Sequence, residues 1–252
     1  MMNVIIYGVY GKMGRMLMQA ADIHGMSIVA GIDAFKGEAL AFPVFRSMKD
    51  CNVSADVLID FSRPEAIREY LPCCCEKQLP VVIATTGIDA NTQAYIAECT
   101  KSIPVFMSAN MSLGVNLQAE LAALAAKVFG GQCDIEIIEK HHRMKVDSPS
   151  GTALLLADHI NEVFDSQKEY IYGRHSKQDK RASEIGIHAV RGGTVIGEHQ
   201  ILFIANDEVI EITHKAESRN VFANGAFKAA TFISDCPPGL YNMRDLIHAT
   251  RN

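Results

Sequence analysis

No stretch of the 252-residue chain approaches the ~18 consecutive apolar residues that a membrane-spanning helix needs. The opening MMNVIIYGVYG also lacks the basic region, apolar run and cleavage site of a secretory leader, so a cytoplasmic protein is expected. CxxC pairs are missing too. The seven cysteines are odd in number and Cys73, Cys74 and Cys75 adjoin, which suits neither a disulfide framework nor a zinc knuckle. They read as reduced thiols serving mostly as small core residues. Basic charge is not in excess, with 24 Lys and Arg against 29 Asp and Glu, which removes the electrostatic footprint of a nucleic-acid binder. Repeats and low-complexity tracts are absent. What is present is a 48% hydrophobic composition, enough for one large or two modest domains.

The front of the chain reads strand, glycine turn, helix: NVIIY (3–7), then GVYGKMG with Gly8, Gly11 and Gly14, then RMLMQAADIHG. The spacing is GxxGxxG rather than GxGxxG, but the physical logic is shared. Glycines permit a tight turn and close approach of backbone to a pyrophosphate resting on a helix N-terminus. The next strand, MSIVAGID (26–33), ends in Asp33 about 20 residues on, where a carboxylate can accept hydrogen bonds from an adenosine ribose. A solvated acid at a strand end would look the same. Such a carboxylate disfavours a 2′-phosphate and Lys36 nearby softens that preference, so NADH and NADPH both stay open.

Three further apolar strands follow, in DVLIDFSRPEA (56–66), PVVIATTG (80–87) and IPVFMSANMS (103–112), separated by helical stretches. That pattern predicts a Rossmann-type doubly wound parallel sheet, in which ligands bind beyond the carboxyl ends of the strands. Thr85, Thr86, Ser108, Ala109 and Asn110 lie at those ends. Pro72, inside the helical pattern 65–78, predicts a break or kink. VNLQAELAALAAKVFGG after Gly114 is an amphipathic helix closed by glycines. Beyond it, DIEIIEKHH, EIGIHAVRGGTVIGEHQILFIAN and EVIEITHKA alternate polar and apolar, which predicts a largely antiparallel, half-exposed sheet in a second α+β domain. The charged segment 165–184 reads as a mobile loop, and NGAFKAATFISD (224–235) as a helix returning to the first domain.

In CDIEIIEKHH, Ile135, Ile137, Glu139 and His141 share one strand face while His142 points the other way, so the chain must leave strand geometry there if both histidines serve one site. The helix that follows starts within SPSGTA, where Ser148 or Ser150 can cap and where N–H groups at Ser150, Gly151 and Thr152 form an anion site. With His142 and Lys145 close in sequence, the positive groups suit a dicarboxylate. His141 can deliver a proton near neutral pH, and Lys145 can bind an anion or polarise a carbon–nitrogen double bond. Adjacent surface histidines, or a chance metal cluster of Glu139, His141 and His142, remain alternatives, although no third soft ligand stands at zinc-like spacing.

IEIIEKHHRMKVDSPSGTA closely resembles the signature of the dihydrodipicolinate reductase family, E-x-H-H-x-x-K-x-D-x-P-S-G-T-A. The resemblance extends through VYGKMGR, IDFSRPE, ATTG, SANMSLGVN, GEHQILF, EITHKAESR and GLYNMRDL, nearly the whole chain. It implies NADH- or NADPH-dependent reduction of dihydrodipicolinate (4-hydroxy-tetrahydrodipicolinate) to tetrahydrodipicolinate in the diaminopimelate route to lysine. By the same resemblance His141 is the catalytic acid or base and Lys145 its partner. His142, Ser150, Gly151 and Thr152 match substrate-carboxylate positions. Gly8, Gly11, Lys12, Met13, Gly14, Asp33, Ala84, Thr85, Thr86, Ser108, Ala109, Asn110 and Met111 match cofactor positions, and no metal is implied. Ala84 stands where glycine is common, and Ala34 where some members carry an arginine. The pattern along the chain predicts a dinucleotide-binding domain of 1–112 plus 223–252 and an inserted substrate and oligomerisation domain of 113–222, with closure of one over the other because a strand-end cofactor and a loop-borne acid must meet across a cleft. The resemblance further implies a homotetramer, for which residues 186–204 are suited.

Two rivals differ in kind. A semialdehyde dehydrogenase needs a nucleophilic cysteine near the cofactor, for which Cys133 is the candidate. A nucleotide-sensing protein needs the glycines and Asp33 but no HHxxK loop.

Overall fold

The computed structural model describes residues 1–35, 37–175 and 183–250. The chain divides into two compact units, one of Met1–Leu113 with Asn220–Asn252 and one of Gly114–Arg219.

The first unit contains β1 (Met2–Tyr7), α1 (Lys12–Ala20), β2 (Met26–Ile32), β3 (Val44–Phe45), β4 (Val57–Asp60), α2 (Pro64–Lys77), β5 (Val81–Ile83), α3 (Ala90–Cys99) and β6 (Pro104–Met107). Its strands are short and apolar because both faces are covered: Val4 and Ile6 enter one core while Ile5 and Tyr7 enter the other. The sheet runs β3-β2-β1-β4-β5-β6 and closes on β12 (Gly239–Tyr241), with every pairing parallel. The winding reverses between β1 and β4, which places a crevice at their carboxyl ends. The expected doubly wound parallel sheet is therefore found.

The helix α2 runs unbroken through Pro72, against the expectation of a break. Ile67, Tyr70 and Leu71 before the proline, and Cys73 and Cys74 after it, are all buried. Burial on both sides offsets the roughly 3 kcal/mol an internal proline costs.

The second unit contains nearly all of α4 (Leu113–Phe129), followed by β7 (Asp134–His141), α5 (Gly151–Glu162), β8 (Glu169–Tyr172), β9 (Glu184–Arg191), β10 (Gly197–Ile204) and β11 (Val209–Ala216). Its sheet is ordered β11-β10-β7-β9-β8. The strand β10 pairs antiparallel with β11 and β7, but β7 with β9 and β8 with β9 are parallel. The sheet is thus mixed rather than largely antiparallel, because α5 carries the chain back before the later strands begin. Its apolar face, with Ile135, Ile137, Ile187, Ile201 and Phe203, joins the alanines of α4 and the Leu156 and Ile160 ridge of α5 in one core.

The segment 165–184 is not simply a loop. Glu169–Tyr172 forms β8, and Arg174 bonds Glu136 at 2.6 Å and Glu184 at 2.7 Å. Residues 176–182 lie outside the described residues, as does Lys36. The chain then adds α6 (Asn220–Ile233), β12 (Gly239–Tyr241) and α7 (Met243–Ala249) to the first unit. Gly225 lets α6 approach the Met111 carbonyl, a space any side chain would fill. Among the described residues no helix is long and apolar enough to cross a membrane.

Candidate active site

In the first unit the turn after β1 is built by three glycines. Gly8 has φ +81° and donates to the Ile32 carbonyl at 2.8 Å; a Cβ there would stand 3.1 Å from the Phe61 carbonyl. A Cβ at Gly14 would press into the carbonyls of Gly8 and Val9, so α1 can sit this tightly on the turn only with glycine. Gly11 is the helix N-cap and offers no side chain to cover the first N–H groups of α1, at Lys12, Met13 and Gly14. Asp33, just past β2, accepts from the Tyr10 N–H and the Phe35 N–H, each at 3.0 Å. Its carboxylate is therefore fixed beside the glycine turn, where a cavity of about 500 Å³ is lined by Gly8, Tyr10, Asp33, Ala34 and Arg63.

The neighbouring strand ends are tied together by a residue that sequence reasoning missed. Asp60 at the end of β4 is fully buried and accepts from the Ser62 N–H at 2.9 Å, the Ser62 hydroxyl, Tyr70 Oη at 3.0 Å and Thr85 Oγ1 at 2.8 Å. Burial pushes its carboxyl up, against the pull of those donors. The Thr85 hydroxyl is consequently turned inward, while Thr86 is exposed and Ala84 half-buried. Ser108 Oγ donates to the Asn110 carbonyl at 2.9 Å, and Asn110 Oδ1 accepts from the Ser112 N–H at 2.9 Å. Ala109 is exposed beside them. Met111, by contrast, belongs to the core cluster of Phe106 and Phe227 and does not present its side chain at that edge.

In the second unit β7 ends at His141, so the chain does leave strand geometry before His142. His142 is half-buried, and its carbonyl accepts from the Lys145 N–H at 3.1 Å. His141 Nδ1 lies 2.5 Å from Glu139 Oε2. Both oxygens of the fully buried Glu139 are gripped by Arg191, Nη1 to Oε2 and Nη2 to Oε1 at 2.7 Å each, and Oε1 also accepts from the Ser150 N–H at 3.0 Å. Ser150 caps α5 by accepting from the Ala153 N–H at 3.1 Å, and its hydroxyl meets His199 Nε2 at 3.2 Å. The His199 and His141 rings stand edge to face, 5.1 Å apart.

The electrostatics follow from this packing. Burial alone would push Glu139 up; Arg191, His141 and the Ser150 N–H together outweigh it and hold the carboxyl below its ordinary range. Burial pushes His141 down, Glu139 pulls it back up, and Lys145 and Arg191 push down again, leaving it below its ordinary value. Burial, with His141 alongside, pushes His199 down to about 3, so that ring is neutral. Lys145 Nζ pairs with Asp147 at 2.8 Å and holds that carboxyl low.

One expectation for the mouth of α5 is corrected. The Ser150 N–H is not open, since it serves Glu139. Arg191, His199 and Asp147 were not foreseen as site residues. Cys133 is buried with its thiol pushed up by that burial, which is unsuited to a nucleophile.

Comparison with known proteins identifies the family. The family model described as dihydrodipicolinate reductase, N-terminus, matches residues 2–111, and that described as dihydrodipicolinate reductase, C-terminus, matches residues 114–247. The 4-hydroxy-tetrahydrodipicolinate reductase of Caldanaerobacter subterraneus subsp. tengcongensis is 49% identical over 98% of this chain and 98% of its own. That of Clostridium tetani is 45% identical over 99% and 98%. A dipicolinate-bound dihydrodipicolinate reductase from Paenisporosarcina sp. TG-14 superimposes with a TM-score of 0.82 at 26% identity, covering 96% of this chain and 97% of that one. Matched in both units and at this identity along nearly its whole length, the chain belongs to the dihydrodipicolinate reductase family.

Proposed function

We propose that the chain reduces 4-hydroxy-tetrahydrodipicolinate, a cyclic dicarboxylate, to tetrahydrodipicolinate in diaminopimelate and lysine biosynthesis. The observation that carries this reading is His141 tied to buried Glu139, with Lys145 and the N-terminus of α5 beside it, in a member of this reductase family.

The first unit, as the dinucleotide-binding domain, fits NADH or NADPH. Gly8, Gly11, Lys12, Met13 and Gly14 would hold the pyrophosphate, because the turn and the α1 N-terminus leave room only for backbone there. Asp33 would accept from the adenosine ribose, both its oxygens keeping further acceptor capacity. Ala84, Thr85, Thr86, Ser108, Ala109 and Asn110 would border the same carboxyl edge. When bound, the reduced nicotinamide supplies the hydride. A carboxylate at position 33 repels a 2′-phosphate, while Arg63 on the same cavity attracts one, so NADH is favoured and NADPH tolerated.

The second unit is the substrate and oligomerisation domain. His142, Gly151 and Thr152 would take the substrate carboxylates, with Ser150 contributing through its hydroxyl rather than its N–H, and Lys145 would exchange Asp147 for one of them. His141 would deliver the proton that completes the reduction. His141 is held by Glu139 before substrate arrives, so the contribution of the site is positioning plus electrostatics. The outer surfaces of β9 and β11 expose Val190, Val209 and Ile210, which supports association of a cytoplasmic chain into a homotetramer. Light scattering that returns a monomer would contradict that part.

The test is loss of reduced-nicotinamide absorbance, with NADH and NADPH separately, while substrate is generated in situ from pyruvate and aspartate semialdehyde. Substrate-dependent oxidation is expected, faster with NADH. Absence of oxidation from folded protein that still binds dinucleotide would sink the assignment.

A further inference from the structure

Taking the proposed proton-donor role of His141 as its starting point, we propose that Glu139 is a positioning residue that fixes the tautomer of the His141 ring, and that Arg191 is the clamp holding Glu139 to that task. The geometry begins with sheet register. Glu139 lies directly opposite His199 on β10, and His141 directly opposite Arg191 on β9, so the centre of the sheet gathers one carboxylate, two imidazoles and one guanidinium.

Arg191 grips both Glu139 oxygens in a fork at 2.7 Å each, and its Nη2 also donates to the Asp147 carbonyl at 2.7 Å. With the Ser150 N–H added, the carboxylate cannot rotate. An ionised carboxylate only accepts, so the hydrogen in the 2.5 Å contact belongs to His141 Nδ1. The other nitrogen, Nε2, then bears the lone pair of the neutral ring and the labile proton of the imidazolium.

Nε2 has been left room. It faces Gly197 on β10, where a Cβ would stand 3.1 Å away. A proton leaving Nε2 converts the imidazolium into the neutral Nδ1–H ring, the form Glu139 already binds, so no tautomer change follows transfer. The charged and titratable groups facing His141 are Glu139, Lys145, Arg191 and His199. His199 is neutral, and Lys145 and Arg191 disfavour the imidazolium, which leaves Glu139 as the group among these that favours it. A buried ion pair is a weak device for stability alone, since apolar residues of the same volume serve as well. The fork is better accounted for by what it does to the ring.

The test compares the full-length wild type with Glu139→Gln and Arg191→Lys. Two-bond nitrogen–proton NMR on histidine-labelled protein, with the His141 signal assigned by its loss in His141→Gln, is expected to show Nδ1–H in the wild type and a mixture in Glu139→Gln. In turnover assays Glu139→Gln is expected to lose about 10²-fold in kcat, with KM little changed because Glu139 does not touch substrate. Loss of the facing negative charge lowers the imidazolium pKa. The limb where activity falls with rising pH therefore moves about one unit lower. A merely structural role would move neither the tautomer nor that limb.

Arg191→Lys keeps the charge but cannot bridge both oxygens, so a smaller shift in the same direction is expected. It carries the same readouts if Glu139→Gln does not fold. An Nε2–H ring in the wild type, or a variant that keeps both the wild-type tautomer and the wild-type pH limb, would overturn the proposal. Wild-type protein that fails to oxidise either cofactor would instead overturn the reductase reading, while the NMR result still judges the role of Glu139.

Discussion

Replacing Arg191 with leucine isolates the energetics of the buried carboxylate. The change deletes both 2.7 Å bonds to Glu139 and the bond to the Asp147 carbonyl, leaving a fully buried charge with only the Ser150 N–H and His141 for support. Breaking a buried pair from one side costs about 3–5 kcal/mol. That magnitude is expected for Arg191→Leu at neutral pH, read as the change in unfolding free energy from urea titration followed by circular dichroism. Replacing both partners, as Glu139→Met with Arg191→Leu, leaves no orphan charge and is expected to recover most of the loss. The sign with pH also follows. In the wild type Glu139 titrates below its unfolded value of 4.5, so its contribution is present above that value and lost as pH falls through the depressed folded value. In Arg191→Leu the folded value rises instead, and the penalty is full above that raised value and fades as pH falls from it toward 4.5. A loss of under about 1 kcal/mol in the single variant, or a double variant less stable than the single, would refute the account of Glu139 as a charge held by Arg191.

Other substitutions probe the two centres separately. His141→Ala is expected to bind dinucleotide normally, measured by fluorescence titration, while turnover falls about 10²–10⁴-fold; equal turnover would remove His141 from the chemistry. Gly197→Ala places a methyl group 3.1 Å from His141 Nε2, and the ring cannot yield because Glu139 holds its other side. Its kcat is expected to drop at least about tenfold with an unchanged melting temperature, and unimpaired kcat would show that Nε2 is not the reacting nitrogen. Asp33→Ala removes the carboxylate at the end of β2, so kcat/KM with NADPH should rise relative to NADH, by about tenfold or more for a like-charge repulsion of this kind. An unchanged ratio would place the ribose elsewhere.

What was legible in the sequence follows from how much of the physics is local. The strands of the first unit are buried on both faces, so each shows as an apolar run, and the parallel sheet follows from runs alternating with helices. The glycines are legible for a related reason: Gly8 needs positive φ and Gly14 needs the absence of a Cβ, and both demands arise within one turn of chain. Pro72 misled because its local cost was outweighed by burial before and after it. In 165–184 a four-residue strand rests on pairing with β9, which no composition of the segment itself reveals.

The second centre shows where local reading stops. Alternation along β7 places Glu139 and His141 on one face but does not say which strands flank them. Arg191 and His199 reach the site only through the registers of β9 and β10, some 50 and 60 residues further on, and a shift of either by one residue would turn its side chain to the opposite face. The mouth of α5 failed for the same reason. By itself the helix leaves the Ser150 N–H free, yet that N–H is taken by Glu139 from the adjacent strand. A helix N-terminus, a strand-end histidine and a buried acid each have a generic reading by themselves. Only the sheet register makes them one device, in which the group that caps the helix also restrains the carboxylate that orients the histidine.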